Sequence, residues 1–350
     1  MIKKIQRFGC ILILVTLPTA CRHTFDPALK VDARLFFEAV QLASEISNAQ
    51  FDLAENANRL ALQSNLNLQF DLGGRPDVEY PRLFSADDRK LRAAIFANLV
   101  EYSLRLKRVV TKADAEPIGW NLRSSEAVSD ADLGRLGNGG GVSKTTRADL
   151  GRGLENISAY LFDFHAEAKL AEHMSNLNAE VEKVVFLLFL DIGDVLNRSQ
   201  SCEKQGSSEL AIPIEIVGFS TCRSGLRAVA DAAITQALKI MRLRLKLAAP
   251  KELREAKSRP VLLDKIFQLE QLRAKVDERL VETRRGLLGV AALHRQIATR
   301  LSEAADKAPP VIYLKLPAQR PIDQGFVQSL KALKAHIQTA NEKILSVLAG

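Results

Sequence analysis

The sequence predicts a mainly α protein: an elongated helical bundle with coiled-coil-like long helices and small β additions. Three observations carry this. Apolar residues recur at alternating steps of three and four through most of the chain, the signature of amphipathic helices. Between Leu262 and Ala304 the apolar stripe advances 42 residues in twelve steps, a mean of 3.5, which is the coiled-coil period and not the 3.6 of a straight helix. With 47% hydrophobic residues, 19 Gly and 12 Pro in 350, the chain has the apolar material for one large core or two small ones and is not disordered in composition.

The first twenty-one residues form a unit of their own. "MIKKIQRFGCILILVTLPTAC" places Lys3, Lys4 and Arg7 before an apolar run from Ile11 to Leu17, then the small residues Thr19 and Ala20 before Cys21. That is the build of a secretory signal peptide, and the run falls well short of the roughly 20 apolar residues that span a bilayer. "LPTAC" resembles the lipobox of bacterial lipoproteins, with Pro18 where the pattern usually has Leu and Leu17 one step further back. The resemblance implies cleavage before Cys21, diacylation of its sulfur and acylation of its new amino group, and hence a bilayer partner through acylated Cys21. Arg22 rather than Asp follows the cysteine, which by the enterobacterial rule implies export to the outer membrane, facing the periplasm. An ordinary cleaved secretory signal is the alternative. Residues 1–20 are thus read as leader, 21–118 as an N-terminal helical segment, 119–152 as a flexible Gly/Ser-rich loop, and 153–350 as a long-helix bundle.

Element by element, Leu35, Ala39, Leu42, Ile46, Ala49, Leu53, Ala57 and Leu60 mark one face of a first helix. "NLNLQFDL", from Asn65 to Leu72, then alternates strictly before Gly73 and Gly74, which predicts a short strand and a turn. Ser85, with Asp88 three residues on, starts a second helix, striped by Leu91, Ile95, Leu99, Tyr102, Leu106 and Val109 as far as Lys112. Ser124 to Arg152 lacks a sustained apolar period and reads as loop. A third helix runs from Leu154 to Val195, and a fourth opens through Leu226, Val229, Ala233 and Ala237. Its end, 241–247, alternates and is left open between helix and strand. "PPVIYLKLP", from Pro309, predicts a buried strand, and Asp323 caps a last helix through Phe326, Leu330, Leu333, Ile337, Ile344 and Leu348.

Once Cys10 leaves with the leader and Cys21 is acylated, Cys202 and Cys222 remain as an even pair in an oxidising compartment. A disulfide closing the loop 202–222 is the simplest reading; a metal site would need further His or Cys nearby. The formal charge of +8 falls to +5 without Lys3, Lys4 and Arg7. With one Trp and four Tyr there are few stacking platforms for single strands, so the expected partners are other envelope proteins and anionic lipid or cell-wall polymer, with no nucleic acid. Residues 154–200 hold eight acidic and three basic side chains, and residues 223–308 ten acidic and nineteen basic. Such complementary segments can pair as antiparallel neighbours in a bundle.

No catalytic motif survives inspection. "GGGVSKTT", Gly139 to Thr146, resembles the phosphate loop "KGGVGKTT" of the partitioning-type ATPases, but Ser143 stands where a glycine lets the backbone approach phosphate. "SDADLGRLGN" ahead of it has no strand character, as such a loop requires. "GFSTC" around Ser220 lacks the closing glycine of a nucleophile elbow. "SCEK" from Ser201 overlaps the cysteine loop. "DFHAEAKLAEH" gathers Asp163, His165, Glu167, Glu172 and His173 without the Glu-x-x-His spacing of di-iron bundles. No catalytic residue, cofactor or metal ligand is therefore assigned. The function expected is that of a membrane-anchored periplasmic lipoprotein with a structural or protein-interaction role; the alternative is an envelope enzyme or ligand-binding lipoprotein whose site is assembled from residues distant in sequence.

Overall fold

Helix propensity and apolar spacing dominate this chain, and the computed structural model is mainly helical. It describes residues 25–75, 82–111, 152–153, 156–157, 170–197, 220–223, 225–247, 258–316 and 321–349. Six helices are drawn among them: α1 (Pro27–Asp71), α2 (Ala86–Thr111), α3 (Leu170–Ile192), α4 (Gly225–Leu247), α5 (Ser258–Ala304) and α6 (Gln324–Ala349). A pair of short strands, β1 (Asp194–Asn197) and β2 (Ser220–Arg223), lies between α3 and α4.

Asp26 starts α1: its carboxylate accepts the Ala28 N–H at 3.0 Å, and Pro27 takes the first helical position, where a missing N–H is no loss. The helix does not stop at Leu60. It runs through the predicted strand 65–72, because Ala57, Leu60, Ala61, Ser64 and Leu68 continue the buried face at helical spacing. The alternating Phe70 and Leu72 are exposed, so the period-two pattern decided nothing. Gly73 and Gly74 close the helix. Their N–H groups bond Phe70 O and Gln69 O at 2.9 Å each, and Gly73 takes the left-handed φ of +78° that this ending requires.

Polar cross-links give the direction of each helix. Phe36 meets Tyr102 edge to face near one end of α1, and Asp52 pairs with Arg89 further along, so α2 runs antiparallel to α1. Tyr102 reaches Met174 and Arg92 clamps Asp191 with two 2.6 Å bonds, so α3 runs antiparallel to α2. Glu182 and Phe189 face Arg295 and Arg284 in that order, which sets α5 antiparallel to α3. Arg227 to Asp277 and Asp231 to Arg273 do the same for α4 and α5. Lys334 with Glu45 and Asn341 with Asn56 make α6 parallel to α1.

All six helices contribute to one contiguous apolar core. The centre of it is α3, where every residue from Val184 to Ile192 is buried. The α5 stripe is buried from Ile266 to Leu301, while Ala304 at its end is exposed. Residues 241–247 are helical to Leu247. Asp323 receives the Gly325 N–H at 2.8 Å at the head of α6.

Two expectations need correction besides 65–72. The third helix, expected to run to Val195, ends at Ile192, and Asp194 and Val195 belong to β1 instead. β1 pairs antiparallel with β2 in four registers, from Asp194 opposite Arg223 to Asn197 opposite Ser220. Residues 309–316 are not a strand. Pro310 and Leu314 are buried, but Val311 and Ile312 are more than half exposed, and the segment is laid across α3 by side-chain hydrogen bonds. The small β additions expected at both places are therefore absent. Among the described residues Glu182 pairs with Arg295 across the antiparallel α3 and α5, and several cations of the basic segment 223–308 bond carboxylates within α4 and α5.

Candidate functional site

The densest collection of polar chemistry sits inside the bundle. Tyr102 on α2, Asn178 and Glu182 on α3, and His294 on α5 are all without solvent exposure, and each buried polar atom of such a set needs a partner. The hydrogen bonds form a directed chain. Glu182 Oε1 accepts from Asn178 Nδ2 at 2.8 Å, and the same amide nitrogen donates to Val311 O at 3.0 Å. That fixes the Asn178 amide, leaving its oxygen to accept from His294 Nδ1 at 3.0 Å. His294 Nε2 is then the acceptor, 2.7 Å from the Tyr102 hydroxyl, which donates to it. Met174 Sδ lies 3.2 Å from the same hydroxyl.

Glu182 is the charged end of the chain. Its Oε2 accepts the N–H groups of Tyr313 and Leu314 at 2.7 Å each, and Oε1 also accepts Arg295 Nε at 2.8 Å. Arg295 in turn donates to Leu314 O at 2.6 Å. Ser175 O takes the Val311 N–H at 3.1 Å. The α5–α6 connector is thus tied down by a carboxylate, an amide and a guanidinium. Further along, Gln296 holds Ile322 by both groups: Oε1 accepts its N–H at 2.9 Å and Nε2 reaches its carbonyl at 3.4 Å.

Burial sets the protonation of this network. Desolvation pushes His294 down to about 3 and the Tyr102 phenol above its ordinary value. Both are therefore neutral across the ordinary pH range. Proton transfer catalysis needs a group poised near the working pH and within reach of a substrate; these groups meet neither condition. The arrangement orients α2, α3, α5 and the connector.

Open clefts among the described residues flank the bundle, three of them between named helices. The largest, about 750 Å³, lies between α4 and α5 and gathers Asp231, Lys239, Arg242, Glu270, Arg273 and Asp277. Most of its ionisable groups are engaged: Arg273 with Asp231 at 2.7 Å, Arg242 with Glu270, and Asp277 with the neighbouring Arg227 at 2.6 Å. The hydrogen bond that Arg273 donates to Asp231 raises the arginine's pKa further, against a smaller opposing effect of burial. A cleft of about 570 Å³ over α1 and α2 is lined by Glu55, Arg59, Arg82, Phe84 and Arg89; there Glu55 accepts the Leu83 N–H at 3.1 Å and Arg89 bonds Asp52. The third, about 460 Å³, opens between α5 and α6 beside Gly286, Gly289, Phe326 and His336. Among the described residues no group of three or more His, Cys, Asp or Glu is arranged to hold a metal ion, and no helix is long and apolar enough to cross a membrane.

Of the residues singled out by sequence, Cys21, Ser201, Cys202, the glycine stretch 139–146 and residues 163–169 lie outside the described residues. Cys222 and Ser220 lie on β2, opposite Val195 and Asn197. Glu172 and His173 fall in the first turn of α3. Sequence reasoning missed Asn178, Glu182 and His294. A signal existed: each follows directly on an apolar stripe residue, Leu177, Val181 or Leu293, on the shoulder of the buried face. No protein-family model matches the chain, and no curated protein and no solved structure shows significant similarity to it.

Proposed function

We propose that the protein is an acylated lipoprotein of the bacterial cell envelope, anchored through Cys21, facing the periplasm from the outer membrane, and serving a structural or protein-interaction role. The observation that carries this reading is the spacing between the acylation motif and the fold. Phe25 already packs against the core and the capped helix α1 begins at Pro27, so only Arg22, His23 and Thr24 stand between a lipidated Cys21 and the bundle. An anchor joined so closely holds one end of a 45-residue helix, about 65 Å long at 1.5 Å per residue, near the bilayer. Two or three acyl chains at about 0.8 kcal/mol per buried CH₂ make that hold persistent.

The interior supports a supporting-element role. Its titratable groups hold helices together: Arg92 to Asp191, Arg227 to Asp277 and Glu182 to the connector. The elongated, coiled-coil-like character that the 3.5-residue period of α5 suggests belongs to the same reading. So does the Cys202 to Cys222 disulfide, which would fasten the β1–β2 corner. Replacing Cys21 by Ser tests the anchor. The variant is expected to keep its leader, to incorporate no labelled palmitate and to leave the membrane fraction once the leader is cut artificially. Normal processing of the variant would instead mean ordinary secretion.

A further inference from the structure

Most of the exposed large apolar side chains among the described residues gather at one end of the bundle. Phe70 and Leu72 at the end of α1, Leu243 and Leu247 at the end of α4, and Val261 and Phe267 at the start of α5 are each more than two-fifths exposed. Cross-links put these helix ends together. Arg244, next to Leu243, bonds Asp71, which Phe70 and Leu72 flank, at 2.6 Å. Arg242 bonds Glu270, one turn beyond Phe267. Lys265 is held below its ordinary pKa first by desolvation and then by Arg244. Gln63 reaches Leu348 O, so the end of α6 closes the same tip. Elsewhere among the described residues the exposed large apolar side chains are Val31, Val311 to Tyr313, and Leu345, itself in the last turns of α6.

Charge surrounds these residues asymmetrically. Arg75, Lys239, Arg242, Lys246 and Arg259 are exposed in the same helix ends; of the carboxylates there, Asp71 and Glu270 are engaged by Arg244 and Arg242 and Asp264 accepts from Gln268, so cations outnumber carboxylates. The apolar groups project from helix termini and line none of the three clefts. Apolar tips that protrude within a basic fringe fit a bilayer interface, where side chains enter the acyl boundary and Lys and Arg sit at phosphate level. A protein partner would have to supply a matching hollow and acidic rim.

We propose that this end of the bundle, formed by the termini of α1, α4, α5 and α6, is a docking surface for an anionic lipid bilayer. The inference goes beyond acylation at Cys21 and does not depend on it. Phe70 lies in the last turn of α1, so this surface sits at the end of the bundle remote from Pro27.

The test uses the chain from Arg22 to Gly350 without acyl groups, which contains every residue of the core, in co-sedimentation with phosphatidylcholine vesicles and with vesicles containing about one-third phosphatidylglycerol. Preferential binding to the anionic vesicles, weakened by salt, is expected. Phe70→Ser combined with Phe267→Ser is expected to lower it by about tenfold or more, and Lys246→Gln by about fivefold, with thermal melts unchanged because these side chains are exposed. Equal binding to both vesicle types, no binding, or variants that bind like the parent would overturn the proposal. So would stoichiometric capture of an acidic envelope protein through Phe70 and Phe267 in the absence of vesicle binding. Because the chain tested is unacylated, failure here leaves the Cys21 anchor standing, and failure of acylation leaves this result standing.

Discussion

Tyr102 and His294 are joined by a 2.7 Å hydrogen bond that solvent does not reach. Since His294 Nδ1 is committed to the Asn178 oxygen, protonating the ring would put a proton between Nε2 and the Tyr102 hydroxyl and leave a cation in the core. Burial accordingly holds its pKa at about 3, below the ordinary 6.5.

The sign of the pH effect follows. Above pH 6.5 the ring is neutral folded and unfolded, so it contributes no slope; below, the unfolded chain binds a proton that the folded chain refuses, and stability falls as pH falls towards 3. Between pH 6.5 and 5, above the main carboxylate range, this one group should remove about 1.6 kcal/mol, because the slope reaches its full 1.36 kcal/mol per pH unit only once the unfolded ring is fully protonated. Denaturant melts at these two pH values should show the loss in the parent and not in His294→Gln. Identical slopes in the two proteins would place the ring in solvent.

Glu182 concentrates more hydrogen bonds than any other described side chain in the network, and two of its donors are backbone N–H groups of the connector. Glu182→Ala leaves those donors and the Arg295 cation without their acceptor in a buried setting, a change that costs about 3–5 kcal/mol. Glu182→Gln should cost less but still disturb the connector, because one of its two groups becomes a donor. Hydrogen exchange at the amides of Tyr313 and Leu314 should accelerate in both variants before the amides of α3 do. Exchange unchanged at these two positions would mean that packing of Leu314 alone holds the connector.

What pattern could reveal is visible in α5 and α1. Every stripe position from Ile266 to Leu301 is buried, because a helix that crosses a core must keep one face apolar whatever its neighbours are. Residues 65–72 misled for the opposite reason: four alternating apolar residues look like a half-buried strand, but only Leu68 is buried, and the helix continued on Ala61, Ser64 and Leu68. The connector 309–316 misled similarly. Its backbone groups are satisfied by Glu182, Asn178 and Arg295, residues more than a hundred positions upstream in two of these cases, and local composition carries no trace of such partners. The polar network as a whole is a product of topology, since it needs α2, α3 and α5 side by side before Tyr102, Asn178 and His294 can meet.

Gly289 and Phe326 mark a close approach of α6 to α5. A Cβ placed on Gly289 would stand 2.5 Å from Phe326 Cζ, whereas one on Gly286 would stand 2.7 Å from Leu330 Cδ2. An aromatic ring cannot step aside as a leucine methyl can. Gly289→Ala should therefore destabilise by about 1–3 kcal/mol despite the better helix propensity of alanine, and Gly286→Ala by less. Adding Phe326→Leu should restore much of the loss, so a double-mutant cycle should give a coupling of about 1 kcal/mol or more. Additive effects would show that the ring relaxes freely into the neighbouring cleft.

The last expectation concerns Cys202 and Cys222. β2 carries Cys222 opposite Val195, and Cys202 stands five residues beyond Asn197, the last residue of β1. The ladder therefore returns the chain to the neighbourhood from which the intervening loop departs, and a bridge needs only Cα atoms within about 7 Å. Closing a loop of about twenty residues should add roughly 3 kcal/mol by restricting the unfolded chain, less any strain in the folded one. Peptide mapping of unreduced periplasmic protein should recover Cys202 linked to Cys222, and reduction should lower the melting temperature. Gly225 supplies an independent check on the same corner. Its φ is +57°, and a Cβ there would collide with the Asp191 carbonyl at the end of α3, so Gly225→Ala should destabilise the corner whether or not the bridge is formed. If reduction leaves the melt unchanged while Gly225→Ala lowers it, the corner is held by backbone packing alone and the two cysteines are free thiols.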